Sequence, residues 1–294
     1  MAQDWVRWAF REVIEKQKWS WSIKPSQFVI PNMVSAGTAT VTNNSNQVTG
    51  TGTSWSASLI GQQFRTSNLT PIYTITNVVG QTLTLDNVWG DTTAVNTGYK
   101  IYLAYVIPPL DFHAFISVFD PRFSWQLWTT VKQDALNMYD AQRASQGTPY
   151  VVADLDYTNL ALGGATINPP IPRFEIWPHI QSAYVIPFLY EARYPDLDDA
   201  GATLPRFITG DVLLEGALAQ VTRWPGPDRE HPNPAFNLAL SKMHTDLFDK
   251  KVKELQRQDE EVYMRDVYYE SGPVWPMAPL PFPINSSYLQ LHAI

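Results

Sequence analysis

The chain has 294 residues, enough for two compact domains or for one domain carrying an insertion. It contains no Cys, which excludes disulfides, thiol catalysis and Cys-ligated zinc together. Its 28 acids against 21 bases give a formal charge of −7, which weighs against tight nucleic-acid binding but allows a channel along which nucleic acid slides without sticking.

The aromatic load is high, with 11 Trp, 14 Tyr and 13 Phe, and such residues favour both cores and protein interfaces. The 23 Pro confine many segments to extended or turn conformations. No apolar run reaches bilayer-spanning length, so no membrane is expected. Met1-Ala2-Gln3-Asp4-Trp5 lacks a charged region followed by an apolar one, so no signal peptide is expected and assembly is placed in a cytoplasm.

Residues 3 to 17 have helical periodicity, with Trp5, Trp8, Ala9, Val13 and Lys16 recurring near one face. Trp19, Trp21 and Phe28 follow in an extended, Pro-broken stretch. From Val34 to Tyr105 the composition shifts to Thr, Asn, Ser, Gly and Val, and only Arg65, Asp86, Asp91 and Lys100 carry charge. Short alternating runs such as Thr38 to Thr42, Gln47 to Thr53 and Thr82 to Leu85 are punctuated by Gly61, Gly80, Gly90 and Gly98. This pattern predicts a small all-β barrel or sandwich, inserted between two parts of another domain. Its Asn, Thr and Gly also suit a carbohydrate-binding module, although turn chemistry alone accounts for them.

Alternation at Phe115, Ser117 and Phe119 predicts a strand, and residues 131 to 146 read as a helix stopped by Gly147 and Pro149. Ala135, Leu136, Tyr139 and Arg143 would lie on its related faces. Tyr150 to Ala153 reads as a strand and Asp154 to Gly164 as a loop. The stretch from Pro170 to Arg223 reads as strand, turn, strand, loop, helix, and the other parts would pack on it. Its two strands, around Phe174 and from Tyr184 to Tyr190, are expected to pair antiparallel across the turn from Trp177 to Ser182. In the helix that follows, from about Phe207 to Arg223, the small residues Gly216, Ala217 and Ala219 would allow a neighbour to approach closely.

A rigid Pro-rich loop, residues 225 to 234, precedes a long helix expected from Ala235 to about Tyr263. Phe236, Leu240, Met243, Leu247, Val252 and Leu255 form its apolar stripe, and its second half is charged. The tail from Ser271 to Ile294 is too rich in Pro for a helix and too apolar to stay free. It is expected to lie as an extended arm on another subunit, with Trp275, Pro276, Met277, Leu280, Phe282 and Ile284 as its contact residues.

Catalytic and metal constellations are missing from the pattern. No two of His113, His179, His231, His244 and His292 stand three or four residues apart, so no helical metal pair exists. Asp198-Asp199 and Asp259-Glu260-Glu261 read as solvated surface, and Asp154-Leu155-Asp156 lacks the calcium-loop pattern. There is no phosphate loop and no Gly-x-Ser-x-Gly elbow. A structural role is therefore expected, with no enzyme activity, cofactor or metal. The expected fold class is α+β. A helical core with an antiparallel β-hairpin or sheet would occupy residues 1–33 and 106–270. An all-β insert would occupy 34–105 and an extended arm 271–294.

Four passages resemble the head-to-tail adaptor (neck or connector) proteins of tailed bacteriophages. Ile107-Pro108-Pro109-Leu110-Asp111-Phe112-His113 through Gly147-Thr148-Pro149-Tyr150 resembles a recurring run of phage virion proteins, with Pro108-Pro109-Leu110 departing from the usual Leu-Pro-x before Asp-Phe. Arg173-Phe174-Glu175-Ile176-Trp177-Pro178 to Arg193-Tyr194-Pro195 is similar to their strand, Trp/Tyr-Pro, strand passage. Leu204-Pro205 to Ala219 is similar to their Leu-x-x-Gly-Ala-Leu-Ala helix. Gly37 to Trp55 resembles small β modules of phage structural proteins. The likeness covers about 220 residues and is carried by the order of weak motifs. It implies a virion protein of the neck, between capsid and tail. Such adaptors form a homo-oligomeric ring, usually of twelve copies, beneath the portal. The ring lengthens the channel for double-stranded DNA without binding it specifically, and docks tail or nozzle proteins. The alternative is a tail or collar protein whose β module binds a carbohydrate or receptor.

Overall fold

The structure, a computed structural model, describes residues 2–66, 71–194, 197, 204–205, 207–227, 230 and 232–270, with residues 2 and 262–270 as backbone only. The expected arm, including Trp275, Pro276, Met277, Leu280, Phe282 and Ile284, lies outside the described residues. The described part holds α1 (Ala2–Glu15), α2 (Gln133–Tyr139), α3 (Gly210–Arg223) and α4 (Leu238–Glu270). Its strands begin with β1 (Ile23–Ile30), β2 (Thr38–Val41), β3 (Gln47–Thr51), β4 (Gln63–Arg65), β5 (Tyr73–Val79), β6 (Thr82–Leu85), β7 (Ala94–Thr97) and β8 (Lys100–Tyr102). They continue with β9 (Tyr105–Val106), β10 (Phe112–Asp120), β11 (Trp125–Gln126), β12 (Val151–Leu160), β13 (Thr166–Trp177) and β14 (Tyr184–Ala192).

The expected helical core is therefore corrected. The described chain is mostly β, with three antiparallel sheets ordered β1-β14-β10-β11, β12-β13-β9 and β7-β2-β3-β6-β5-β4-β8. Two compact units separate among the described residues: a helical one from 2–24, 111–114 and 190–270, and a β-rich one from 25–110 and 115–189.

In the β-rich unit the seven-stranded sheet curls into a half-barrel. Its strands alternate with period two, so Thr38, Thr40, Thr49, Thr82 and Thr84 turn outward while Ala39, Val41, Val48, Leu83 and Leu85 turn inward. The enclosed core adds Phe64, Ile75, Ile101 and the aromatics Trp55, Tyr73, Trp89 and Tyr99. The polar ends of those rings are satisfied: the Trp55 indole donates to Tyr99 Oη at 3.0 Å, Tyr99 donates to Ala36 O at 2.6 Å, and Trp89 donates to Thr92 O at 3.1 Å.

The expected hairpin of the central stretch is also corrected. The strand around Phe174 does not pair with the one from Tyr184. β13 pairs with β12 along a ladder from Val151↔Trp177 to Leu160↔Thr166 and with β9 at Phe174↔Val106, whereas β14 lies in the four-stranded sheet between β1 and β10. The stretch from Asp154, expected as a loop, continues as strand to Leu160 because β13 offers it a long partner, and long-range pairing outweighs its polar composition. The turn that closes this ribbon uses Gly163 and Gly164, both at positive φ, and Gly163 N donates to Ile60 O at 3.0 Å. The helix expected over 131–146 is cut to Gln133–Tyr139. Asp140 ends it by accepting the amides of Ala144 and Ser145 at 2.9 and 3.0 Å, a local competitor for helical bonding.

In the helical unit α1 packs on α3 and α3 on α4. Ala9, Phe10 and Val13 of α1 meet Val212 and Leu213 of α3 and Phe248, Val252 and Leu255 of α4. Gly216 sits where they converge: a Cβ there would stand 2.6 Å from Ala9 Cβ and 2.9 Å from a Phe248 ring carbon. The close approach expected at this small residue is thus built in. Asp259, expected on a solvated surface, is buried and accepts Ser20 N at 3.0 Å and the Ser20 hydroxyl at 2.5 Å, fastening α4 to the turn at Ser20–Ser22.

Candidate functional site

The densest chemistry lies inside the β-rich unit, in residues to which the sequence reading gave no joint role. Arg65 of β4 and Glu175 of β13 are buried, as are Arg143 and His179 in the loops that flank α2 and β13. Arg143 has φ +51, in the left-handed region that favours glycine, and its guanidinium is fully engaged. Nε donates to Glu175 Oε1 at 2.5 Å, Nη2 to Glu175 Oε2 at 3.2 Å and Asn137 Oδ1 at 2.7 Å, and Nη1 to Asp140 O at 2.6 Å. Arg65 in turn donates to the carbonyls of Arg143 and Gln142 at 3.0 and 3.1 Å. His179 Nε2 stands 3.5 Å from Glu175 Oε1, with its ring 4.9 Å from that of Tyr102.

The electrostatics follow from burial and pairing. Burial pushes the Glu175 carboxyl up, but the nearby His179 ring and the hydrogen bonds and charge of Arg143 outweigh it and leave the group below the usual carboxylate range. Burial raises the Tyr102 hydroxyl, and burial with the nearby Glu175 charge raises that of Tyr105. Asp140 is also pushed up by burial, yet the Trp177 indole at 3.0 Å and the amides of Ser145 and Ala144 hold it at about 2.

This cluster presents no reacting face. Glu175 is 0 % exposed and Arg143 5 %, so a molecule in solvent does not reach the carboxylate, and each guanidinium is spent on internal acceptors. The arrangement works as a strut that ties β4, the 140–146 loop and β13 into one piece. One sequence signal could have found it: Arg65 is one of only four charges between residues 34 and 105 and follows Phe64 in a short strand.

The surface that stands out for binding is on α4. The expected stripe divides in two. Val252 and Leu255 are buried, joined by Phe248, whereas Leu240, Met243 and Leu247 are 42, 47 and 37 % exposed. These three lie at i, i+3 and i+7, a continuous line on one side of the helix. Beside the buried line of Phe248, Val252 and Leu255, polar groups of α4 pair with α3. Lys251 Nζ reaches Asp211 at 2.9 Å and Glu215 at 3.4 Å, and His244 Nδ1 lies 2.7 Å from Glu215 Oε2. The charge of Lys251 and the hydrogen bond to His244 hold the Glu215 carboxyl below its ordinary value.

Among the described residues no group of three or more His, Asp or Glu side chains could hold a metal ion, and no helix is long and apolar enough to cross a membrane. Comparison with models of known protein families gives no match, and comparison with curated proteins gives none either.

Proposed function

We propose that the chain is a structural protein of the phage neck, a connector that forms a ring between portal and tail, extends the DNA channel and docks the tail. The observation that carries this reading is the exposed line Leu240, Met243 and Leu247, in a chain that also holds a Pro-rich apolar stretch, residues 271–294, without Asp, Glu, Lys or Arg. Large apolar side chains aligned along a solvent-facing helix stand at unfavourable free energy in water, and a partner that covers them lowers it. A ring, built by a heterologous interface that closes, supplies such a partner in every copy. The sequence likenesses at 107–150, 173–195 and 204–219 support the neck in particular. The net charge of −7 suits a wall past which DNA must slide.

The purified full chain, alone and mixed with the portal protein of its own phage, is imaged by electron microscopy and weighed by mass photometry. Closed rings of one stoichiometry, on their own or on the portal, are the expected result. A chain that stays monomeric with the portal present overturns the reading. Glycan binding by such a monomer points instead to a collar or tail protein that uses its β module.

A further inference from the structure

We propose that the ribbon of β12 and β13 straps the sheet of residues 34–105 to the rest of the β-rich unit, so that this sheet opens only together with the ribbon and never as a module of its own. The strap acts within a single copy of the chain and stands or falls apart from the ring reading.

At its root the ribbon shares a junction with the sheet. β8 pairs with β4 at Gln63↔Tyr102 and Phe64↔Ile101, and the chain then enters β9, which pairs with β13 at Glu175↔Tyr105. Gln63 of β4 is buried and closes the junction: its Oε1 accepts Ala104 N at 2.8 Å and Tyr105 N at 3.2 Å, and its Nε2 donates to Gly61 O at 2.9 Å. Arg65, on the same strand, donates to the carbonyls of Gln142 and Arg143, and Arg143 holds Glu175 of β13. A connection hinges freely when its polar groups can turn to water. Those of this junction are spent on buried partners, and a rotation there would break them together.

At its tip the ribbon returns to the same part of the sheet. Its register shifts, between Asp154/Asp156 and Thr158/Leu160, let it curl. The turn is closed by Ala161 N donating to Ala165 O at 2.8 Å and Gly164 N to Ala161 O at 3.1 Å. It lands on Ile60 and Gly61, just before β4, where Gly163 N donates to Ile60 O at 3.0 Å. The two surfaces interlock. A Cβ at Gly61 would stand 3.0 Å from Leu162 Cδ2, and a Cβ at Gly164 would stand 3.2 Å from Ile60 Cδ1. Each side lacks a side chain where the other side's fits, and both glycines have positive φ. Behind the contact Gly61 N donates to Ile75 O at 2.8 Å and Ile75 N to Gln62 O at 2.9 Å, so the tip bears directly on β5.

Hydrogen exchange of the full chain, read peptide by peptide by mass spectrometry in increasing sub-denaturing urea, tests the strap. Amides of β4 and β5 should merge with those of β12 and β13 into one opening with one urea dependence. An opening of the 34–105 sheet at lower urea, with the ribbon still protected, overturns the proposal. Leu162→Asp, at an exposed tip residue, should speed exchange at Gln63–Arg65 and Tyr73–Ile75 at least about tenfold, with α3 unchanged as the internal reference. Val95→Asp, at an exposed apolar site on the edge strand β7, should leave the tip and β4 as in the parent. Faster exchange confined to 161–165 in the Leu162 variant overturns the strap, because the tip would then rest on the sheet without holding it.

Discussion

In β2, β3 and β6 the seven-stranded sheet turns Thr outward and Ala, Val or Leu inward, while α4 turns Leu240, Met243 and Leu247 to solvent and buries Asp259. Both are regular elements with a clear periodicity. In the sheet the period and the burial agree, and the ring polar groups of Trp55, Trp89 and Tyr99 find partners inside the same fold. In α4 two apolar lines compete for one buried face. Phe248, Val252 and Leu255 occupy it, and the other line is left outside. The two differ in what they leave uncovered: the sheet closes over its apolar side chains, and the helix keeps a line of three in contact with solvent.

The sharpest way to break that comparison is to open the β-rich unit from within. Arg143→Ala leaves Glu175 buried at 0 % exposure without its bidentate partner and leaves the Arg143 backbone in the left-handed region unsupported. The expected loss is about 3–5 kcal/mol, read as a shift in the urea midpoint at constant slope. A loss below about 1 kcal/mol would mean that the cluster is not a strut.

The helical unit has its own point of no slack. Gly216→Val sets methyl groups against Ala9 and Phe248, where a bare Cβ already stands at 2.6 and 2.9 Å. Overpacking of this kind costs about 1–3 kcal/mol. Gly216→Ala should lose less, because alanine regains up to about 1 kcal/mol of helix propensity. Thermal melts of the two variants rank them, and a Val variant as stable as the parent would show that the three helices are loosely packed.

Individual elements of this architecture could be read from the sequence, whereas the fold class and the central strand pairing could not, and the losses have physical causes. The strands at 38–41, 47–51 and 82–85 were legible because period-two alternation between Gly-marked turns has few other solutions. Gly216 was legible because a glycine amid Leu and Ala in a helix needs a packing reason. The pairing of β13 was not, because nothing near Phe174 says that its partner starts at Val151 rather than Tyr184. The end of α2 was missed because Asp140 stops it through side-chain bonds to amides four and five residues on. The buried cluster was missed for a similar reason: Arg65, Arg143 and Glu175 are far apart in sequence, only the topology joins them, and the isolated charge of Arg65 was the one local signal. On α4 the stripe itself was legible, but its division was not, since periodicity does not say which of two apolar lines a small unit has room to bury.

Acid separates the two regions more gently. The folded Asp140 carboxyl, at about 2, holds its proton less tightly than an unfolded one near the ordinary value of about 3.9. Its contribution is therefore complete above about pH 4 and is lost as pH falls through about 2. The melting temperature should fall across that window, and Asp140→Asn should flatten the fall while lowering stability at neutral pH through weakened acceptance from Ser145 and Ala144. An unchanged acid limb in the Asn variant would remove Asp140 as its source.

The smallest expected effect on folding belongs to the surface that the proposed ring would use. Leu247→Glu replaces a side chain that is 37 % exposed and lies off the Phe248–Leu255 face, so folding stability should move by no more than about 0.5 kcal/mol. The same change places a carboxylate in the middle of the apolar line, where an approaching apolar segment would have to desolvate it. The variant should melt like the parent and fail to assemble, which no strut or core residue can do. If Leu247→Glu instead lowers the melting temperature as much as Gly216→Val does, the exposed line is part of the monomer's own core, and the contrast between a closed sheet and an open helix disappears.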